Sequence, residues 1–439
     1  MPSLAKVAQP RTVHEVAQLV IAAGPRGVLA RGAGRTYGDG AQNGGGTVLD
    51  LAAFDSIDLC DDGDVIAGAG VVLGHLVPRL LDRGRFLPVT PGTRWITVGG
   101  AVAADVHGKN HHVDSSFGAH VRWLDLLTAD GEVRRLSPTD ADPRLFHATM
   151  GGMGLTGVLL AARFATIEAP TASVRVTTMR VDDLDRLMAL MVDNDNAHRY
   201  SVAWVDAMSR GRRLGRGVLT LGDHARPDEV LQARRGSGVA GGRLADEPRL
   251  TAPQVPVSPL NRLSLAAFNE AWFRRAPRLR EAEIVGIAPY FYPLDAVGGW
   301  NRLYGRGGFL QYQFAVPDSG SDVVRRTLER LSALRAPSFL SVLKRFGPGR
   351  TQSPLSFPLA GWTLAIDLPA RTPGLGAVLD QLDEEVLVAG GRLYLAKDSR
   401  AVPATITAGY PRLGEFRAVK NDVDPRGVFV SDLSRRLAL

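Results

Sequence analysis

The feature that most constrains this chain is the run Thr97-Val98-Gly99-Gly100-Ala101-Val102-Ala103-Ala104, which carries almost no side-chain bulk. Backbone so bare can bring its N–H groups against something large and flat, or against an anion. The run lies inside a longer stretch, Leu87 to Val121, which begins near the turn Pro91-Gly92-Thr93. Beyond the run, His107-Gly108-Lys109-Asn110-His111-His112 crowds hydrogen-bond donors and a cation together. A glycine-rich turn between core elements, with a solvated polar end, would account for the same residues taken alone.

Two more segments look built for the same object. Arg31-Gly32-Ala33-Gly34-Arg35-Thr36-Tyr37-Gly38-Asp39-Gly40 lies between apolar, strand-like runs, and Gly151-Gly152-Met153-Gly154-Leu155-Thr156-Gly157 opens onto another. A single G-x-G is common in ordinary turns. Three such segments in roughly the first third of the chain, with Arg31 and Arg35 beside them, point to a phosphate-containing cofactor. The pattern resembles the flavin-binding domain of the vanillyl-alcohol oxidase superfamily. The resemblance covers essentially the full length. It narrows to the branch that oxidises the 2-hydroxyl of a polyprenylphosphoryl ribose.

The fold class is read as α+β: a two-domain flavoprotein with an FAD domain and a substrate domain built on an antiparallel sheet. A chain of 439 residues is long for one domain. An FAD-binding domain of the PCMH type is expected over 1–170, and a substrate-binding domain over 171–390. The resemblance implies a C-terminal segment, 391–439, that returns to the first domain. Between 224 and 263 the chain turns rich in Pro, Gly, Arg and Asp, which predicts a long mobile loop. A second loop is expected from 293 to 308. Short strands and helices are expected elsewhere, among them a helix capped by Thr12 and one from His75 to Arg83 with Pro78 in its first turn.

Composition removes several function classes. Cys60 is the only cysteine, so internal disulfides and CxxC metal sites are excluded. A net charge of +7 favours phosphate-bearing substrates, anionic lipid or nucleic acid. The basic excess is dispersed and no nucleic-acid motif accompanies it, so nucleic acid is not expected. No basic-then-apolar leader opens the sequence, and no run of about 18 uncharged apolar residues follows. A cytoplasmic protein is expected, at most peripheral to the inner face of the plasma membrane.

The resemblance assigns roles residue by residue. Ala30, Arg31, Gly32, Ala33, Gly34, Arg35, Thr36, Tyr37, Gly38, Asp39 and Gly40 would wrap the FAD pyrophosphate. Gly92, Thr97, Val98, Gly99, Gly100, Ala104, Asp105, Val106 and His107 would line the ring and ribityl chain, with Val158 or Leu159 on the adenine side. Attachment is expected to be non-covalent, because residues 31 to 46 hold no histidine and no second cysteine is present. Lys397, in Tyr394-Leu395-Ala396-Lys397-Asp398-Ser399, falls where the family has an active-site lysine. Composition alone would favour a strand-end surface lysine paired with Asp398. Tyr394 would contact the flavin or pack in the core.

His107 and Lys109 would flank the substrate side of the ring, and Tyr37 would reach the sugar or pack on the flavin. His111 and His112 are adjacent and have no carboxylate cluster, so no metal is expected. Gln311 and Gln313 share a strand face, and with Lys344 and Thr363 would project toward the flavin. Lys344 would bind the substrate phosphate as a point charge. Where the best-known members carry a pocket cysteine, asparagine and tyrosine, this chain has Ala365, Thr363 and Phe291. These departures leave the substrate open between a lipid-linked sugar phosphate and a soluble sugar, alditol or natural-product sugar moiety. The resemblance also implies a separate NAD(P)H-dependent keto-reductase partner.

Overall fold

The computed structural model describes residues 3–237, 250–255 and 258–439. In the first part, a parallel sheet in the order Lys6–Ala8, Thr47–Asp50, Val28–Arg31 accompanies a five-stranded antiparallel sheet. The second sheet runs Ile57–Leu59, Val65–Gly68, Val158–Phe164, Val121–Leu127, Val133–Leu136. Val28, Leu49, Val65, Leu124, Leu126 and Val158 join these sheets in one apolar core. Burying each such side chain contributes about 1.5–3 kcal/mol.

Local signals explain the flanking elements. Thr12 caps the helix Val13–Ile21 in a reciprocal box with Glu15, and Val16 and Val20 turn inward. The turn at Gly131, at φ +84, joins two strands as a hairpin. The helix expected from His75 begins at Leu73 instead, so Pro78 lies in its second turn. Leu73 and Gly74 donate to the carbonyls of Ile96 and Arg94, which anchors the earlier start.

The second part is an eight-stranded antiparallel sheet. Its order is Leu279–Gly286, Ser173–Val181, Gly217–His224, Tyr200–Val205, Ser341–Phe346, Gly361–Pro369, Phe309–Val316, Arg392–Leu393. The helices Leu184–Asn194, Asp322–Leu334 and Leu375–Val388 pack their apolar stripes on one face, against Leu219, Leu343, Leu364 and Phe314. The opposite face carries Gln311, Gln313, Thr363 and Asp367, because side chains alternate along a strand.

The loop expected over 224–263 contains helix. Pro227–Ser237 is helical, with proline at its first position and Asp228 and Glu229 in its first turn. That start chemistry outweighs the loop-like composition. A second helix, Arg262–Arg275, starts at the tail of the stretch, capped by Asn261. Residues 238–249 and 256–257 lie outside the described residues. The stretch 293–308, also expected as a loop, forms short 3-10 turns at Pro293–Ala296 and Trp300–Gly307.

The C-terminal residues contact both parts. Val28 N–H donates to the Val428 carbonyl at 2.8 Å, and Val430 N–H donates to the Val28 carbonyl at 3.1 Å. Phe429 enters the first core, while Leu433 and Leu437 enter the second. Asp424, buried, accepts from the N–H groups of Val428 and Phe429 at 2.7 and 2.8 Å. Among the described residues, no helix is long and apolar enough to cross a membrane.

Candidate active site

The strand Val28–Arg31 runs directly into the first glycine loop. Residues 32 to 36 make no hydrogen-bonded turn, and among the described residues none of their N–H groups donates elsewhere in the chain. They border a cavity of about 610 Å³ lined by Arg31, Gly32, Ala33, Gly34, Thr36, Gly38 and Thr97, among others. Thr36 Oγ1 is buried without a partner. Uncommitted N–H groups, an orphaned hydroxyl and an arginine around one cavity fit a phosphate-bearing cofactor. A Cβ on Gly32 would fall 2.0 Å from Thr97 Oγ1, so only glycine lets this loop lie against the low-bulk run.

A second close approach fixes the catalytic candidates. A Cβ on Gly38 would lie 1.8 Å from the Asp398 carbonyl oxygen, and Tyr37 N–H donates to the Ala396 carbonyl at 3.2 Å. The loop is thereby pressed onto the turn that carries Lys397. Lys397 Nζ stands 3.6 Å from the centroid of the Tyr37 ring. Burial pushes this lysine down to about 7; the nearby Asp367 carboxylate works against that shift, and Lys344 adds to it. Asp367 is itself pushed up to about 7 by burial, opposed by its bond from the Gln311 amide and by Lys397. Burial also raises the Tyr37 phenol, which therefore stays protonated.

The neighbouring wall is aromatic and cationic. His107 packs on Phe346, Phe357 and Tyr394 at centroid distances of 4.9, 5.4 and 5.1 Å. The Gln313 amide lies 3.1 Å from His107 Nε2, and His107 Nδ1 is buried without a partner. Burial, and then Lys344, hold His107 well below its usual range, so the ring is neutral. Burial lowers Lys344 to about 8. Lys109 falls to about 7 by burial and by Lys344; its ammonium donates to the Tyr290 carbonyl and lies 4.2 Å from the Tyr290 ring centroid. Thr363 Oγ1 donates to the Phe314 carbonyl at 2.8 Å and accepts from Gln313 at 3.3 Å.

Tyr37, Lys397, Gln311, Gln313, Thr363, Lys344 and His107 thus gather around the seam between the glycine loop and the sheet. Other expected site residues face elsewhere. Asp39 forms a two-bond pair with Arg436, at 2.8 and 2.7 Å. The buried Asp105 carboxylate accepts from Ser116, Gly118 N–H and Ser356. Neither carboxylate is turned to a ligand. Val98, Val106 and Leu159 put their side chains into the first core, leaving only backbone to offer, and Gly92 is exposed. Tyr394 packs in the second core, stacked on Phe357, and donates to the Ala104 carbonyl at 3.2 Å.

Phe291, expected in the substrate pocket, is 1% exposed, packs on Phe86 and Tyr200, and has Lys109 Nζ 5.6 Å from its ring centroid. Its flat ring completes an aromatic cluster in the first core. His111 is buried against Phe346, while His112 Nε2 lies 3.0 Å from the His198 carbonyl, so the adjacent pair diverges. Sequence reasoning missed Asp367. The signal was there: it shares strand parity with Thr363 and Ala365 in Gly361–Pro369.

Residues 4–137 match a family model described as an FAD binding domain. The chain is 41% identical over 442 residues to a decaprenylphosphoryl-beta-D-ribose oxidase of Mycolicibacterium smegmatis, covering all of this chain and 95% of the relative. It is 43% identical over 382 residues to an uncharacterized protein of Streptomyces coelicolor, covering 84% of this chain and all of that one. An alditol oxidase of a Streptomyces species is 25% identical over 454 residues, covering 98% of this chain and 95% of the relative.

Proposed function

This chain belongs to the decaprenylphosphoryl-beta-D-ribose oxidase family of FAD-dependent oxidoreductases, within the vanillyl-alcohol oxidase superfamily, and from that membership we propose that it oxidises the 2-hydroxyl of a polyprenylphosphoryl-β-D-ribose to the ketone. FAD is its cofactor. When bound, FAD supplies the acceptor for the hydride leaving the sugar carbon. Loop 31–40 would hold the pyrophosphate without a covalent link.

The observation that carries the reading is the meeting of Tyr37, Lys397, Gln311 and Asp367 at one seam. A lysine brought down to about 7 is divided between amine and ammonium at neutral pH. Its amine accepts the hydroxyl proton as the C–H bond breaks, and Asp367 beside it shares that proton load. Gln311 and Gln313 present amides on the same strand face to orient the sugar. Lys344 supplies positive charge for the phosphate with no carboxylate partner of its own among the described residues. His107, held neutral, positions Gln313 and walls the pocket.

The ketone would pass to a separate NAD(P)H-dependent keto-reductase, which completes the change to the arabinose configuration. Peripheral attachment to the membrane would bring the enzyme to a lipid-linked substrate. A second reading, oxidation of a soluble sugar or alditol, draws support from Ala365, a small residue paired across from Gln313 where the best-known members carry a cysteine.

Anaerobic bleaching of the flavin absorbance tests both readings. Polyprenylphosphoryl ribose should bleach the purified protein, and Lys397→Ala should slow bleaching by about 10²–10⁴-fold. Bleaching by a free alditol, and not by the lipid-linked sugar, would transfer the assignment to the second reading.

A further inference from the structure

We propose that the 262–275 helix is a docking face for an anionic bilayer, placed so that the polyprenyl chain of the substrate leads back to the membrane; the substrate class rests on the function proposed above. The helix touches the rest of the protein through a narrow strip. Leu265, Asn269 and Phe273 are its buried residues, at i, i+4 and i+8. Asn269 bonds to Asp206 at 2.9 Å and to the Ser338 carbonyl at 3.0 Å, and Phe273 lies 4.5 Å from the Arg216 guanidinium.

A helix held this way normally turns charged residues to water. This one presents Leu263, Ala267, Phe268, Ala271 and Trp272, all exposed, beside one charged pair, Arg274 with Glu270. Leu263 is 82% exposed, Phe268 45% and Trp272 46%. Phe268 and Trp272 stand one turn apart with rings stacked at 6.2 Å. Leu279, on the strand that follows, is also exposed. Exposed Arg262, Arg275 and Arg278 border this face and, among the described residues, have no carboxylate partner. Apolar side chains outward with arginines at the margins suit the headgroup region of an anionic membrane, where the rings enter the acyl boundary and the guanidinium groups meet phosphate.

Continuity with the active site separates this face from an ordinary sticky surface. Phe268 contacts Phe339 at 6.0 Å between centroids, and Phe339 contacts Tyr304 at 6.1 Å. Tyr304 stacks on Phe309 at 4.3 Å, and Phe309 meets Tyr37 edge-on at 5.5 Å. Lys397 caps the far end of that run of rings. Tyr304 is buried within that run, so the rings form a packed link that fixes the exposed helix relative to the seam.

The test is co-sedimentation of the FAD-loaded full chain with vesicles of phosphatidylglycerol and phosphatidylcholine, against vesicles of phosphatidylcholine alone. The wild type should bind the anionic vesicles, and added salt should weaken the binding. Leu263→Glu/Arg275→Glu should lower the bound fraction's partition by about tenfold or more. The same variant should keep its flavin absorbance and its bleaching rate with a short-chain, water-soluble substrate. No binding by the wild type, or equal binding by the variant, overturns the proposal. So does a dimer in the wild type that the variant abolishes, since a second copy would then cover the face. Vesicle binding without bleaching by any polyprenylphosphoryl ribose would instead sink the oxidation, which keeps the two failures apart.

Discussion

Lys397 and Asp367 set the acid–base behaviour of the site between them. Burial disfavours the charged form of each, so the lysine falls and the carboxyl rises until both titrate near neutrality. The free amine is the form that accepts a proton, so kcat/KM should climb as pH rises through about 7. The Asp367 charge raises the lysine, so Asp367→Asn removes a force favouring the ammonium. The rising limb should then move to lower pH, measured as the bleaching rate against pH. A limb that stays in place would separate the two groups. Asp367 also shows where a single sequence runs out. Its strand and its parity were readable, but its pairing opposite Gln311 is a register between distant strands, which no local pattern encodes.

At the scale of elements, signals confined to a few neighbouring residues were legible. The Thr12 cap, the Asp130-Gly131 hairpin and the alternation in Phe309–Val316 each follow from adjacent side chains. The 227–237 helix was hidden because its surroundings share the composition of a loop. The glycine loops were legible as glycines, but not which of their side chains face inward. Asp105 illustrates this. It lies in the most telling stretch of the sequence, yet at φ +40 its carboxylate ties that stretch to Ser116, Gly118 and Ser356. Each buried donor left unpaired costs about 1–3 kcal/mol. Asp105→Ala should therefore lower stability by at least about 2 kcal/mol, read from the urea midpoint, and loosen FAD binding with it.

Across the whole molecule, residues 424 to 437 tie the two parts together. Arg436 grips Asp39 in the glycine loop and Asp398 beside the catalytic candidate, reaching 397 positions back along the chain to do so. Arg436→Ala should cost about 2 kcal/mol of stability through the carboxylates it strands, and excess FAD should restore part of the lost melting temperature. A melting temperature unchanged by the substitution would mean the apolar contacts of Phe429 and Leu433 hold the segment without it. The same tie orders events at the ribosome. The loop and the strand Val28–Arg31 are translated early, whereas the backbone that pairs with Val28 arrives about 20 to 80 s later at ordinary elongation rates. During synthesis the nascent cradle lacks one wall until residues 424 to 437 have been made.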